Sequence, residues 1–227
     1  MVMDVVLSSG FLAFARHIGV LDALEEKNMT IDAICGTSSG AMVGALYAAG
    51  FTPDQIAEEL YIPRPISMVN ISWQPWRGLF CMPSVHSKLQ QLLPKRIEDL
   101  PKPLGIGLCT MERKKYLCTK GSLVDAIIAS CAVPYLFVPH EVDGNLYRDG
   151  GFADRLMAED WRTYRNPKNT LIHIVDRSNG VAEERGTEDC LIIRTPRSFA
   201  KLWDIGDFQQ QRQEARNMTL QNLNQIA

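Results

Sequence analysis

The stretch Ile34-Cys35-Gly36-Thr37-Ser38-Ser39-Gly40 constrains this chain more than any other. It closes an apolar run, Thr30-Ile31-Asp32-Ala33-Ile34-Cys35, that reads as a short strand. It opens Ala41 to Ala49, a small-residue segment that reads as a buried helix. A strand that turns into a helix within a G-x-S-x-G pattern holds its central serine on a sharp, strained turn at the end of a sheet. Gly36 and Gly40 let neighbouring backbone approach without Cβ clashes, and the unpaired N–H groups of the helix start stabilise negative charge at the serine. Ser38 is therefore a candidate nucleophile, with Gly36 and Gly40 as the glycines of its elbow. Two glycines and a serine at this spacing also build plain structural turns, so the surrounding chain has to decide.

The same rhythm precedes it. Val2 to Leu7 reads as a strand, Ser8-Ser9-Gly10 as a tight turn, and Leu12 to Lys27 as a helix with Phe14, Ile18, Leu21 and Leu24 on one face. Two strand–turn–helix units in succession predict an α/β fold with a mostly parallel sheet, whose chemistry gathers at the carboxyl ends of the strands. Thr52-Pro53-Asp54-Gln55 is a capping box with proline at the first helical position, opening a helix to Leu60. Val85 to Leu93 reads as a helix, Leu104 to Thr110 and Lys115 to Thr119 as a hairpin, and Leu123 to Ser130 as a helix capped by Ser122. Val142 to Gly151 is a small hairpin ending in Asp149-Gly150-Gly151. Leu171 to Val175 and Leu191 to Arg194 are further strands, and a polar helix runs from Asp204 to Asn222. Between Tyr61 and Ser84, three aromatic residues (Trp73, Trp76, Phe80) and four prolines show little periodicity. That stretch is expected to be a long surface excursion, either folded onto the core or with a membrane-contacting or substrate-covering role.

With 227 residues and no Pro/Gly/Ser linker, the chain is read as a single domain spanning residues 1–227. Its net charge of −2 excludes the basic footprint of a nucleic-acid binder. The longest nearly apolar run, Ala126 to Pro139, is shorter than the roughly 18 residues that a membrane span needs. No export signal follows Met1, and the six cysteines lack C-x-x-C spacing, which points to a reducing cytoplasm and no structural zinc. His17, His86 and His140 show no metal-ligand spacing in the chain, and no cofactor motif is present.

Three stretches taken together resemble the patatin-like phospholipases. They are Val6-Leu7-Ser8 through His17-Ile18-Gly19-Val20-Leu21, the Gly36 to Gly40 elbow, and Asp149-Gly150-Gly151 following Ala129 to Pro134. The resemblance implies a three-layer α/β/α sandwich and a serine acyl hydrolase that uses a Ser-Asp dyad without histidine. It assigns Ser38 as nucleophile and Asp149 as its base, with lipid esters (phospholipid, lysophospholipid or acylglycerol) as substrates and no cofactor. A carboxylate is a poor base at its reference pKa of about 3.9, so the dyad requires burial to raise it.

The departures are as informative as the matches. The family's glycine-rich, arginine-containing turn, which supplies the oxyanion hole, corresponds here to Ser9-Gly10-Phe11-Leu12-Ala13-Phe14. Backbone N–H groups of Gly10 and Phe11 remain as the oxyanion donors, with a left-handed φ at Phe11 expected to cost about 1–2 kcal/mol. Ala13 replaces the arginine, which tilts the expectation toward neutral or single-chain esters; Arg16, further along the same helix, is a candidate substitute. The family's Asn-x-Pro after the Asp-Gly-Gly turn becomes Arg155-Leu156-Met157. Two rivals stand beside the dyad. One is a Ser38-Asp149-His173 triad, whose chain order matches serine hydrolases. The other is a lipid-binding regulatory protein that keeps the fold and is non-catalytic or weakly catalytic because of the altered turn. Trp73, Trp76 and Phe80 are the candidate anchors for peripheral membrane contact.

Overall fold

The structure, a computed structural model, describes residues 1–177 and 185–226. Its first strands are β1 (Val2–Leu7), β2 (Thr30–Thr37), β3 (Asn70–Ile71), β4 (Gly78–Cys81), β5 (Leu104–Thr110) and β6 (Lys115–Cys118). They are followed by β7 (Tyr135–Phe137), β8 (His140–Val142), β9 (Asn145–Asp149), β10 (Thr170–Val175) and β11 (Leu191–Thr195). The α-helices are α1 (Phe14–Glu26), α2 (Ser39–Ala48), α3 (Pro53–Leu60), α4 (Pro83–Leu92), α5 (Leu123–Ser130), α6 (Ala158–Arg165) and α7 (Phe208–Ile226).

The main sheet runs β11-β10-β1-β2-β5-β9-β8, with β6 also paired to β5. Its first five strands are mutually parallel, and β6, β8 and β9 add an antiparallel edge. This is the expected α/β architecture with a mostly parallel centre. Alternation along the strands divides the core. Met3, Val5 and Leu7 of β1 join a large cluster with Ile18, Leu21, Val43 and Ile127 of the helices, whereas Val6 joins Cys35, Ile172, Ile174 and Trp161. The two helical layers are unequal: α1, α2, α5 and α7 contribute to the first cluster, and α6 serves the second.

Several boundaries differ from the sequence reading. Helix α1 starts at Phe14 rather than Leu12, because Leu12 takes a left-handed φ of 50°. Helix α2 starts at Ser39, directly after the candidate nucleophile and inside the elbow, and α4 at Pro83, where proline's missing N–H costs nothing. Helix α7 begins at Phe208, after Asp207 Oδ1 accepts from Gln210 N at 2.8 Å, and reaches Ile226. Arg212 of α7 forks onto Asp22 of α1 at 2.6 Å on both arms. Helix α6 has no counterpart in the sequence reading, since apart from Ala158, Trp161 and Tyr164 its residues are charged or polar. The Tyr61 to Ser84 excursion is more ordered than expected: β4 pairs antiparallel with β3 and parallel with β7. Strands of two to four residues are too short to display alternation in sequence. Ser122 precedes α5 as expected, but its hydroxyl donates to Asp125 Oδ2 rather than capping backbone.

Candidate functional site

Ser38 sits between β2 and α2 with φ 54° and ψ −119°, a conformation that L-residues adopt only under constraint, at roughly 1–3 kcal/mol. The constraint is visible in the packing. A Cβ on Gly36 would lie 2.3 Å from the Gly40 carbonyl oxygen, and a Cβ on Gly40 would lie 2.3 Å from the Leu7 carbonyl oxygen. The first turn of α2 therefore rests directly on the backbone of β1 and β2. From the other side, Ser38 N donates to Ser130 Oγ at 2.8 Å, and that hydroxyl donates to Gly107 O at 2.7 Å. Ser130, at the end of α5, is a bracing residue that sequence reasoning did not single out.

Asp149 arrives by sheet register. Thr37 pairs with Gly107 and Asp149 pairs with Leu108, so the carboxyl ends of β2 and β9 reach adjacent residues of β5 from opposite directions. The Asp149 carboxylate is buried and accepts from Gly151 N at 2.7 Å, and the Ser38 side chain is near enough to lower its pKa. Burial pushes its pKa up to about 6, against the downward pull of the Ser38 and Gly151 hydrogen bonds and of Arg177.

The turn after β1 completes this end of the sheet. Gly10 and Phe11 line the same cleft as Ser38 and Asp149, and their N–H groups have no acceptor among the described residues. The left-handed residue is Leu12 rather than Phe11, so the strain expected at Phe11 falls one position later. Arg155 braces the turn: its Nε donates to Ser9 Oγ at 3.3 Å and its Nη2 to Ser9 O at 2.9 Å, while Nη2 also reaches Val175 O. Ser9 N returns a bond to Arg155 O at 2.9 Å. Arg16 does not take the role expected of it. Its guanidinium turns to Gln211 O and Glu214 on α7, the latter at 2.7 Å, because α7 covers that face of α1.

Two cavities meet at Ser38. One, of about 100 Å³, is almost wholly apolar and is walled by residues such as Phe14, Met42, Leu60, Val85, Leu89 and Phe137. The other, of about 550 Å³, is more open and is lined by Ser9, Gly10, Asp149 and Arg155, with Arg177, Arg197 and Lys201 around it. Those three cations were not identified from sequence, since they lie far from Ser38 along the chain and carry no motif. Arg177 also donates to Gly151 O at 3.2 Å, and Arg197 stacks over Phe199 at 4.2 Å.

His173 is not placed as a third triad member. It is fully buried in β10, with Nδ1 2.8 Å from His17 Nδ1 and Nε2 2.8 Å from Thr195 Oγ1. His17 in turn reaches Ser39 Oγ at 3.2 Å, so a hydrogen-bonded chain runs beneath the elbow from β11 to α2. Burial lowers His17 to about 3 and His173 well below its ordinary value, and both stay neutral. Of the three expected membrane anchors, Trp73 and Trp76 are exposed, at 95% and 79%. Phe80 instead turns toward Phe137, ring centroids 6.3 Å apart, and Ile71 and Leu79 join the outer surface. Among the described residues no helix is long and apolar enough to cross a membrane.

The family model described as patatin-like phospholipase matches residues 5–160. The chain belongs to this family. A protein of Mycobacterium tuberculosis named as an NTE family member is 34% identical over 154 residues, covering 66% of this chain and 42% of its own length. Human patatin-like phospholipase domain-containing protein 6 is 29% identical over 164 residues, covering 68% of this chain and 12% of that protein. The chain thus spans less than half the length of these relatives. Among solved structures, VipD from Legionella pneumophila superposes with TM-score 0.60 at 14% identity, covering 98% of this chain and 67% of that one. ExoU of Pseudomonas aeruginosa, solved in complex with SpcU, gives TM-score 0.57 at 15% identity, with 99% and 52% covered. These two likenesses show the patatin-like fold. The match to the family ends within α6, so β10, β11 and α7 lie outside it.

The buried histidine pair makes a first expectation. His173→Ala leaves partners without their hydrogen bonds and lowers unfolding free energy by about 1–3 kcal/mol in urea titration. Ester turnover by the folded fraction stays within a few-fold of wild type; its abolition would restore the triad.

Proposed function

We propose that this member of the family is a serine acyl hydrolase that cleaves carboxylic esters of lipids through an acyl-enzyme, with Ser38 as nucleophile and Asp149 as base. The observation that carries this reading is that Ser38 stands where the apolar cavity meets the polar cleft. An acyl chain laid in the first and an alcohol portion in the second puts the scissile carbonyl at Ser38 Oγ.

As Oγ attacks the carbonyl carbon, its proton passes to the Asp149 carboxylate. The oxyanion is held by the N–H groups of Gly10 and Phe11; removing one such donor typically costs about 10²–10³ in rate. Collapse of the tetrahedral species expels the alcohol, which takes the proton from Asp149. A water then gives a proton to Asp149 as it attacks the acyl carbon; collapse of this second tetrahedral species breaks the ester bond to Oγ, which takes the proton back from Asp149, releasing the fatty acid and free Ser38. Arg155 is a positioning residue in this scheme, since it holds Ser9 and thereby the donors that follow it.

The polar cleft also revises the expectation of neutral substrates. The charge absent at Ala13 is supplied from elsewhere by Arg177, Arg197 and Lys201, which suit an alcohol portion bearing phosphate. The narrow apolar cavity suits a single chain. A monoacyl glycerophospholipid combines both features. The exposed Trp73 and Trp76 are the side chains that would dock the protein on a membrane surface carrying such lipids.

Ser38→Ala and Asp149→Asn are each expected to lower kcat on a p-nitrophenyl ester series by on the order of 10³-fold or more. In the wild type, Asp149 must be ionised to accept the proton, so kcat/KM should fall tenfold per pH unit below a midpoint near 6 and be flat above it. Retained turnover in Asp149→Asn would remove Asp149 as the base, and an acid limb centred near 4 would mean that burial does not raise its pKa. Arg177→Ala combined with Arg197→Ala should raise KM for a monoacyl glycerophospholipid by about tenfold, roughly 1.4 kcal/mol, and leave monoacylglycerol unaffected. Equal effects on both substrates would dismiss the phosphate reading. Trp73→Ala with Trp76→Ala should reduce co-sedimentation with phospholipid liposomes; unchanged sedimentation would move the membrane contact elsewhere.

A further inference from the structure

Away from the elbow, three side chains that are far apart in sequence converge on one point. His86 projects from α4, Asp125 from α5 and His140 from β8. Both imidazoles direct Nε2 at the same oxygen, Asp125 Oδ1, at 2.9 Å and 2.8 Å. One ligand atom from each residue lies within 4.8 Å of the other two. The two rings are tilted by 49° with centroids 5.7 Å apart, so their Nε2 atoms approach the oxygen from different directions. The second carboxylate oxygen is occupied by the Ser122 hydroxyl, which orients the group and leaves Oδ1 facing the histidines. The three side chains are partly exposed, at 23%, 32% and 30%, so a solute reaches them from water.

We propose that His86, Asp125 and His140 form a binding site for a zinc-class divalent cation. Two imidazole nitrogens and one carboxylate oxygen are a donor set that zinc and its neighbours in the first transition row favour, whereas magnesium and calcium favour oxygen alone. The distances are compatible. Bonds of about 2.0–2.1 Å at a tetrahedral angle separate neighbouring ligand atoms by roughly 3.3 Å. The observed N···O separations need to open by about half an ångström, which small rotations of two partly exposed rings supply. Each neutral imidazole carries its proton on Nδ1 when Nε2 binds the ion, and water completes the fourth position. Carboxylate and cation leave the site with one net positive charge, reached without burying an unpaired ion.

The position of the site shows what occupancy does. Val85 and Leu89, flanking His86 on α4, wall the apolar cavity at Ser38, and α5 carries Ser130, which braces the elbow. A cation at these three ligands clips α4 to α5 and β8. It therefore stiffens the cavity wall without touching Ser38 or Asp149. Cation binding at these three side chains is independent of ester chemistry at Ser38.

The test uses the full chain, stripped of metal with a chelator and kept reduced, because its six cysteines are free and could themselves take up zinc. Titration with zinc chloride in a non-chelating buffer should give one site per chain, and saturation should raise Tm. Cobalt chloride should give the visible d–d bands of a tetrahedral nitrogen–oxygen site without thiolate-to-cobalt charge transfer. His86→Asn and His140→Asn should each weaken zinc affinity at least tenfold and abolish the Tm increase, and Cys81→Ser should change neither. No uptake by the wild type, thiolate charge transfer in the cobalt spectrum, or one-site binding that survives both histidine substitutions would each overturn the proposal. The cobalt spectrum is read on the wild type, so it decides the question even if a variant folds poorly.

Discussion

The contact on which the rest of this structure depends is that between the first turn of α2 and the backbone beneath it. Gly40 lies so near the Leu7 carbonyl, and Gly36 so near Gly40, that neither position has room for a Cβ. With the helix seated this deep, Ser38 has no choice but a positive φ, and Ser130 grips its N–H from the opposite side. The cost of the strained serine is local, of order 1–3 kcal/mol, and is offset by the close packing of α2 with β1 and β2. What the arrangement secures is a serine at the carboxyl end of the sheet with open space on two sides.

Burial then sorts the ionisable groups around that serine. A buried carboxyl is pushed toward its neutral form and a buried imidazole likewise, but the two shifts have opposite consequences near neutral pH. For Asp149 the rise to about 6 leaves an ionised group that is a better proton acceptor than an ordinary carboxylate. For His17 and His173 the fall leaves neutral rings bonded to each other, to Ser39 and to Thr195. One physical effect thus supports a dyad without histidine, even though two histidines lie beneath the elbow.

Arginine placement shows how a fold redistributes positive charge along its chain. The arginine nearest in sequence to the altered turn, Arg16, is spent on α7, where Glu214 and Gln211 hold it. The turn is instead stabilised by Arg155, which enters from beyond β9 and bonds Ser9 through both backbone and hydroxyl oxygens. Arg177 and Arg197, from the segments after β10 and β11, bring positive charge to the polar cleft. The carboxyl-terminal part of the chain, which lies beyond the matched family region, therefore contributes both a helix that occupies Arg16 and cations that face the site.

The order of strands, turns and helices was legible in sequence because each rests on local chemistry. Gly36 and Gly40 mark a turn that only glycines permit, Thr52 and Gln55 form the expected reciprocal cap, and the nearly continuous apolar runs of β1 and β2 mark strands buried on both faces. Ser38 could be singled out because it stands in a recognisable local pattern, whereas Asp149 was assigned only by the resemblance to the family. Helix α6 and the short strands β3, β4 and β7 were hidden, being too polar or too brief to carry a period. The remaining features depend on contacts between residues distant in the chain, which no local pattern records. The meeting of β2 and β9 on adjacent residues of β5, the brace from Arg155, the inward turn of Phe80 and the convergence of His86 and His140 on Asp125 are of this kind. Sequence by itself determined which residues could do chemistry, through backbone freedom and side-chain type; only tertiary structure decided which of them meet, because register and burial are properties of the assembled sheet.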